Sequence, residues 1–246
     1  MISGTDVNKI DDDFRLKHFK VSHKNSTMKV GTDAFIIGSW LKIDSGCRRI
    51  LDVGTGCGII ALMLAQRSSA RIDAIDIDQP SVEEAKSNFK NSHWSNRLNT
   101  IHASVTDFYP DEKYDLIVSN PPFFSKSLLP VSEKLQRAKH AVTISLDDFV
   151  KKSKTLLHCG GKLAVILPVD VSEMFTKTAI DFGFHTHELL KIIPKEGKPA
   201  NRLVLVLSLT GCLFPDEDTL VIRDKNGKYT ADYKELTADF HAEGYI

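Results

Sequence analysis

The sequence predicts an α/β fold, a doubly wound and mostly parallel seven-stranded sheet that ends in an antiparallel hairpin. Three observations predict it. From Arg49 onward, short apolar runs of strand character alternate with amphipathic runs of helical period. A glycine-rich turn joins the first such strand to the first such helix. The last two apolar runs are separated by Pro194-Lys195-Glu196-Gly197-Lys198-Pro199, too short for a helical crossover, so they pair antiparallel.

Residues 49–53 read as a strand and 59–67 as a helix. Residues 71–75 form a second strand, followed by a helix that opens at Pro80-Ser81, with proline in its first turn, and runs to about Asn91. Residues 100–103 and 114–119 are the third and fourth strands. A helix over 146–157, with Gly160-Gly161 as its stop signal, precedes a strand over 162–167, and a helix over 171–182 leads to the hairpin runs 187–193 and 203–209. No repeat or linker divides the chain, so residues 1–246 read as one domain, with 1–48 as an N-terminal basic segment and helix packed on the cleft. A doubly wound, Rossmann-like sheet with this ending resembles the class I methyltransferases; a dehydrogenase half-domain would not normally end that way.

Hydrophobic residues at 42% and charged residues at 26% describe a soluble globular protein rather than a disordered or fibrous one. The polar start of the chain gives no signal peptide, and no apolar run approaches the ~18 residues of a membrane span, so a cytosolic protein without membrane association is expected. Cys47, Cys57, Cys159 and Cys212 are scattered without a C-x-x-C pair, so neither a metal site nor a disulfide framework is expected. A monomer is favoured. The formal net charge of zero argues against a nucleic-acid partner, but its distribution argues for one. Arg15, Lys17, Lys20, Lys24 and Lys29 lie in a stretch without an acid. Lys126, Lys134, Arg137 and Lys139 are opposed only by Glu133, and Lys191, Lys195, Lys198 and Arg202 line the late hairpin. Acids gather elsewhere, as at Asp216, Glu217 and Asp218. Basic segments flanking a cleft suit phosphates, the bland alternative being solvated charged faces.

The turn Asp52-Val53-Gly54-Thr55-Gly56-Cys57-Gly58 has the spacing D-x-G-x-G-x-G. Glycines there let the backbone turn tightly and approach a ligand with no Cβ in the way. A dinucleotide fingerprint would need glycine where Ile59 stands, so the cofactor should carry no pyrophosphate. Asp76, at the end of the second strand, is placed to accept hydrogen bonds from both ribose hydroxyls, and Asp78 is the alternative two residues on. Cys57 reads as a small filler rather than a nucleophile.

The fourth strand ends in Asn120-Pro121-Pro122-Phe123, outside the carboxyl edge where doubly wound sheets bind ligands. Two prolines stiffen the backbone and remove two N–H donors, leaving the Asn120 side-chain oxygen and the Pro121 carbonyl as acceptors. Such a pair suits a planar amine on an aromatic ring. Taking its hydrogens favours a pyramidal nitrogen and directs the lone pair at a sulfonium methyl. No general base is needed, because a protonated aryl amine loses its proton to water, and catalysis is mostly positioning. Phe123 would stack on an unstacked base.

Several segments together resemble the bacterial tRNA(Val) adenine-37 N6-methyltransferases: Phe19-Lys20-Val21, the stretch from Met28 through Asp33 to Trp40, Asn120-Pro121-Pro122-Phe123, Arg137-Ala138-Lys139-His140, Tyr229-Thr230, and Leu236-Thr237-Ala238-Asp239-Phe240. The resemblance implies S-adenosyl-L-methionine as cofactor and methylation of the 6-amino group of an adenine in tRNA, at position 37 of the anticodon loop. It implies that Asn120 and Phe123 engage the adenine and Asp76 the cofactor ribose, with Lys29 and Thr32 at the cofactor's methionine end. Asp52, Gly54, Gly56, Gly58 and Asn120 complete the cofactor set. Where relatives often carry an aspartate after the third strand, this chain has Ser104, with Asp107 as the other candidate for the cofactor's adenine. Three rival readings are a protein glutamine N5-methyltransferase, an RNA guanine N2-methyltransferase, and a catalytically silent RNA-binding module. Intact Asn120 and a complete glycine loop weigh against the last.

Overall fold

The structure, a computed structural model, describes residues 13–26, 29–121 and 144–241. Pro122, Phe123, Met28 and the basic stretch from Lys126 to Lys139 lie outside the described residues.

A small antiparallel hairpin of β1 (Asp13–Arg15) and β2 (Lys20–Ser22) leads into α1 (Thr32–Trp40). The main sheet is built from β3 (Arg49–Val53), β4 (Arg71–Asp76), β5 (Leu98–His102), β6 (Tyr114–Ser119), β7 (Leu157–Pro168), β8 (His185–Ile193), β9 (Arg202–Ser208) and β10 (Asp216–Val221). Between them run α2 (Ile59–Arg67), α3 (Gln79–Lys90), α4 (Leu146–Leu156) and α5 (Val169–Asp181), and α6 (Ala231–Thr237) follows β10. The strand order is β10-β8-β9-β7-β6-β3-β4-β5. β9 runs antiparallel to both β7 and β8, and the other pairings are parallel.

β3 is buried from Ile50 to Val53, and β7 from Leu163 to Leu167, because helices cover both faces of the sheet at its centre. α2 buries all of Ile59–Ala65 for the same reason. α1 lies on α2 at close range: a Cβ on Gly38 would meet the Met63 sulfur at 2.8 Å. From β3 the chain winds one way to β4 and β5, then returns to lay β6 and β7 on the other side. This switch opens a crevice between the carboxyl ends of β3 and β6.

Three features depart from the sequence expectation. The main sheet has eight strands rather than seven, β10 being added in parallel to β8 at the edge. Its sequence, Asp-Glu-Asp-Thr-Leu-Val, exposes the first four residues and buries only Leu220, so no apolar period announces it. Acidic side chains also blunt the open edge against further strand addition. Second, Gly160-Gly161 is not a helix stop, since α4 ends at Leu156 and β7 begins at once. Leu157 pairs with Tyr114 and pairing resumes with Lys162 opposite Leu116, so the glycines lie in a bulge. A Cβ on Gly161 would stand 3.0 Å from the Tyr114 carbonyl, which explains glycine there. Third, the N-terminal segment holds the β1–β2 hairpin besides its helix.

The far end of the described chain closes over this N-terminal segment. The Lys17 N–H donates to the Phe240 carbonyl (2.9 Å), the Gln66 amide donates to the Asp239 carbonyl (2.9 Å), and His241 stacks on Phe35 at 5.0 Å. Among the described residues, no helix is long and apolar enough to cross a membrane.

Candidate active site

The glycine loop leaves β3 and folds back over the end of β4. The Gly54 and Thr55 N–H groups both donate to the Ile75 carbonyl (2.9 and 3.1 Å), and Gly58 N–H closes a turn on Thr55 (2.9 Å). Gly54, Gly56 and Gly58 have φ of 72°, 55° and 83°, a region that side chains with a Cβ rarely enter. Cβ atoms added at Gly54 or Gly56 would meet nothing within 4 Å, so this face of the loop is open.

Register brings the predicted residues together. β3 pairs with β6 so that Val53 faces Ser119, and with β4 so that Val53 faces Ile75. The next residues on the three strands, Asn120, Gly54 and Asp76, therefore stand side by side. At one strand spacing each, Asn120 and Asp76 are separated by roughly 10 Å of backbone. The buried Ser119 hydroxyl donates to the Val53 carbonyl (2.7 Å) and pins the two strand ends just beneath. Asn120 is half-buried and Pro121 buried.

Asp76 accepts from the Gly56 N–H (2.9 Å) through one oxygen and from the Asp78 N–H (2.9 Å) through the other, clamping the glycine loop to the β4 tip. Asp78, the alternative, caps α3 by accepting from the Ser81 N–H (3.0 Å) and hydroxyl (2.7 Å). Ser104 follows β5 closely, where the Ala103 N–H donates to the Asp76 carbonyl (3.1 Å). Its hydroxyl hydrogen-bonds with that of Thr106 (2.8 Å). Asp107 is exposed, and its charge acts on Lys152 of α4 instead.

Beneath the loop, Asp52 is fully buried. One carboxylate oxygen accepts from the Thr55 hydroxyl (2.7 Å), while Oδ1 has no hydrogen-bond partner. Burial pushes the carboxyl up to about 7; the Thr55 hydroxyl and the Ala61 N–H oppose this, and the charge of Asp76 adds to it. Burial likewise holds the Cys57 thiol at about 12, which fits a filler and not a nucleophile.

Residues 25–191 match the family model of the methyltransferase small domain. The chain is 39% identical over 230 residues to the tRNA1(Val) (adenine(37)-N6)-methyltransferase of Parabacteroides distasonis, covering 93% of this chain and 97% of that protein. The protein of the same name from Pectobacterium carotovorum is 35% identical over 236 residues, 94% of each chain. This chain belongs to the tRNA1(Val) (adenine(37)-N6)-methyltransferase family. The resemblance read from its residues is thereby borne out. The solved structure of a predicted O-methyltransferase from Agrobacterium tumefaciens superposes with a TM-score of 0.66 over 85% of this chain and 96% of that one; at 21% identity this likeness concerns the fold.

In this family member, the N-terminal segment is fastened by residues that sequence reading missed. Glu84 of α3, 6% exposed, accepts backbone N–H bonds from Lys24 (2.7 Å), Asn25 (3.0 Å) and Ser26 (2.8 Å). Burial pushes its carboxyl up, but these donors outweigh burial and hold it below its ordinary value. Asn88, one turn on, bridges the carbonyls of Ser22 and Cys57 (2.8 Å each). Both sit on the stripe of α3 that buries Ser81, Val82, Ala85 and Phe89. Polar residues on an apolar stripe were the available signal. At the other end of the segment, Asp33 pairs with Arg202 at the start of β9 (3.0 Å). Lys29 and Thr32 are exposed between these two anchors.

The loop's glycines differ in what they face, which gives a paired expectation. A Cβ at Gly58 would stand 2.5 Å from the ring of buried Phe89 and 3.2 Å from Ala85. Gly58→Ala combines a left-handed backbone with overpacking and should cost ~2–5 kcal/mol in denaturant unfolding. Gly56→Ala should cost only ~1–2 kcal/mol, because its Cβ enters open space. That space is where a cofactor would lie, so Gly56→Ala should abolish cofactor titration. A stable Gly58→Ala, or a Gly56→Ala that binds normally, would contradict this assignment of faces.

Proposed function

We propose that this chain transfers a methyl group from S-adenosylmethionine to the 6-amino group of an adenine in tRNA, at position 37 of the anticodon loop of tRNA(Val). The observation that carries the reading is the alignment of Asn120, Gly54 and Asp76 on three adjacent strand ends, with the relatives' shared name supplying the substrate.

The residues fit this cofactor. The open face over Gly54 and Gly56 admits it where a Cβ would intrude, and the orphaned, buried Oδ1 of Asp52 offers an acceptor for its cationic end. Asp76 would take the ribose, Ser104 the adenine, and the Lys29 and Thr32 region the methionine end. The cofactor supplies a methyl group activated by a sulfonium. Asn120 and Pro121 offer oxygen acceptors to the two hydrogens of the substrate amine. They orient its lone pair, and the amine proton departs to water after transfer. Holding the partners in this geometry is the kind of contribution that reaches ~7–11 kcal/mol. Pro122 and Phe123 lie outside the described residues; from the sequence, Pro122 would stiffen the tip and Phe123 would stack on the extruded base.

The chain acts as one methyltransferase domain, a reading supported by the contacts of the N-terminal hairpin with α3 and of α1 and residue Asp239 with α2. It works in the cytoplasm as a monomer. The test offers labelled S-adenosylmethionine with unmodified tRNA, duplex DNA and a release factor in parallel. Label recovered from tRNA as N6-methyladenosine is the expected result. Label in the release factor alone would replace this reading with glutamine methylation.

A further inference from the structure

We propose that two adjoining turns beyond the carboxyl ends of β8 and β10 form a phosphate-binding patch that grips the paired stem of the RNA, to one side of the catalytic tip. The inference rests on the tRNA reading above and adds where the body of that substrate lies.

The turn after β8 and the turn after β10 are bound to each other. The Ile222 N–H donates to the Ile193 carbonyl (2.9 Å), the Glu196 N–H to the Arg223 carbonyl (2.8 Å), and Lys225 pairs with Glu196 (3.5 Å). Residues 194–200 and 222–229 together carry Lys195, Lys198, Arg223, Lys225 and Lys228 against only Glu196 and Asp224. β8 and β10 run parallel to β7 and β6, so both turns emerge on the same edge of the sheet as Asn120. Three strand spacings separate β6 from β8 and four separate it from β10, which puts the turns roughly 14–19 Å from the catalytic tip. In this proposal the helical stem beneath the loop lies at about that distance from a base inserted at Asn120.

The hydrogen-bond and ion-pair pattern sorts the basic residues. Lys191 is taken by Glu217 (2.8 Å) and Arg202 by Asp33 (3.0 Å), although the sequence alone groups both with the hairpin cations. Arg223 donates to the Gly227 carbonyl (2.7 Å) and lies 4.1 Å over the ring of Tyr229, which stacks on Tyr233 of α6 at 4.8 Å. That sandwich fixes the second turn to the body of the protein, so its backbone need not be ordered on binding. Lys195, Lys198 and Lys228 are exposed and form no ion pair among the described residues. The opposite end of β10 is acidic, with Asp216, Glu217 and Asp218. A chain of zero net charge thus carries a local positive patch on its catalytic edge, at the end of β10 away from these acids.

The test is RNA binding by the Lys195→Ala/Lys198→Ala/Lys228→Ala variant, by filter retention across a salt series and apart from methylation. Its affinity for full-length tRNA should fall by about tenfold or more, and its salt slope should flatten by about one per lysine, roughly three in all. Affinity for S-adenosylmethionine, the thermal midpoint and binding of an unpaired oligonucleotide of the loop sequence should not change. The Lys195→Arg/Lys198→Arg/Lys228→Arg variant should keep the tRNA affinity of the wild type. Unchanged tRNA affinity and slope would overturn the patch, and so would an equal loss on the unpaired oligonucleotide. A wild type that binds tRNA through these lysines without methylating it would sink the proposed reaction and leave the patch standing.

Discussion

Asn120→Ala should lower turnover at saturating substrates by at least about 10²–10³-fold, the usual consequence of deleting one positioned hydrogen-bonding group at a reacting centre. Affinity for S-adenosylmethionine should stay within about tenfold, because the glycine loop and Asp76 hold the cofactor without this side chain. The support beneath survives the change: Ser119 still pins β6 to β3, and Pro121 remains buried. Single-turnover assays with labelled cofactor, alongside equilibrium titration, separate the two quantities. Turnover near that of the wild type would remove Asn120 from the mechanism.

The second large effect is expected at Asp52. Its carboxyl, pushed up to about 7 by burial, is half neutral near physiological pH. A cationic ligand favours the charged form, so binding releases a proton. Apparent affinity for S-adenosylmethionine should therefore weaken by about tenfold per pH unit below 7 and level off above pH 8. Asp52→Asn should weaken binding ~10–100-fold and flatten that profile, the loss expected when a charged hydrogen-bond acceptor is removed. Stability should move the other way. The folded value lies above the unfolded carboxylate value, so this group's contribution is fully present below about pH 4 and is lost as pH rises through 7. The cofactor-free Asp52→Asn protein should then gain in melting temperature over the wild type at pH 8, less so at pH 5, and not below about pH 4. A pH-independent affinity in the wild type would refute the role given to this carboxylate.

How much was legible in the sequence follows from what each residue faces. α2 and β6 were found with their observed bounds because glycines or polar residues punctuate runs that are buried on all sides. Gly54, Asp76 and Asn120 were legible as a group because each ends a strand, and parallel strands in register bring their ends level. β10 was not, since an edge strand with four exposed residues carries no apolar period. Gly160-Gly161 misled because the same pair serves a helix stop or a close backbone approach, and only the Tyr114 carbonyl decides between them. Glu84 and Asn88 escaped because their partners lie some 60 residues away along the chain. Arg202 was counted among free cations until the fold set it against Asp33.

The meeting of residues 239–241 with Lys17, Phe35 and Gln66 has a bearing on the order in which the N-terminal segment settles. α1, which carries Phe35, emerges roughly 200 residues before the His241 ring that stacks on it. A nascent chain can thus lay down β3 to β6 before α1 gains these contacts. Docking of the N-terminal segment against residues 239–241 is then paced by long-range closure rather than by local helix formation.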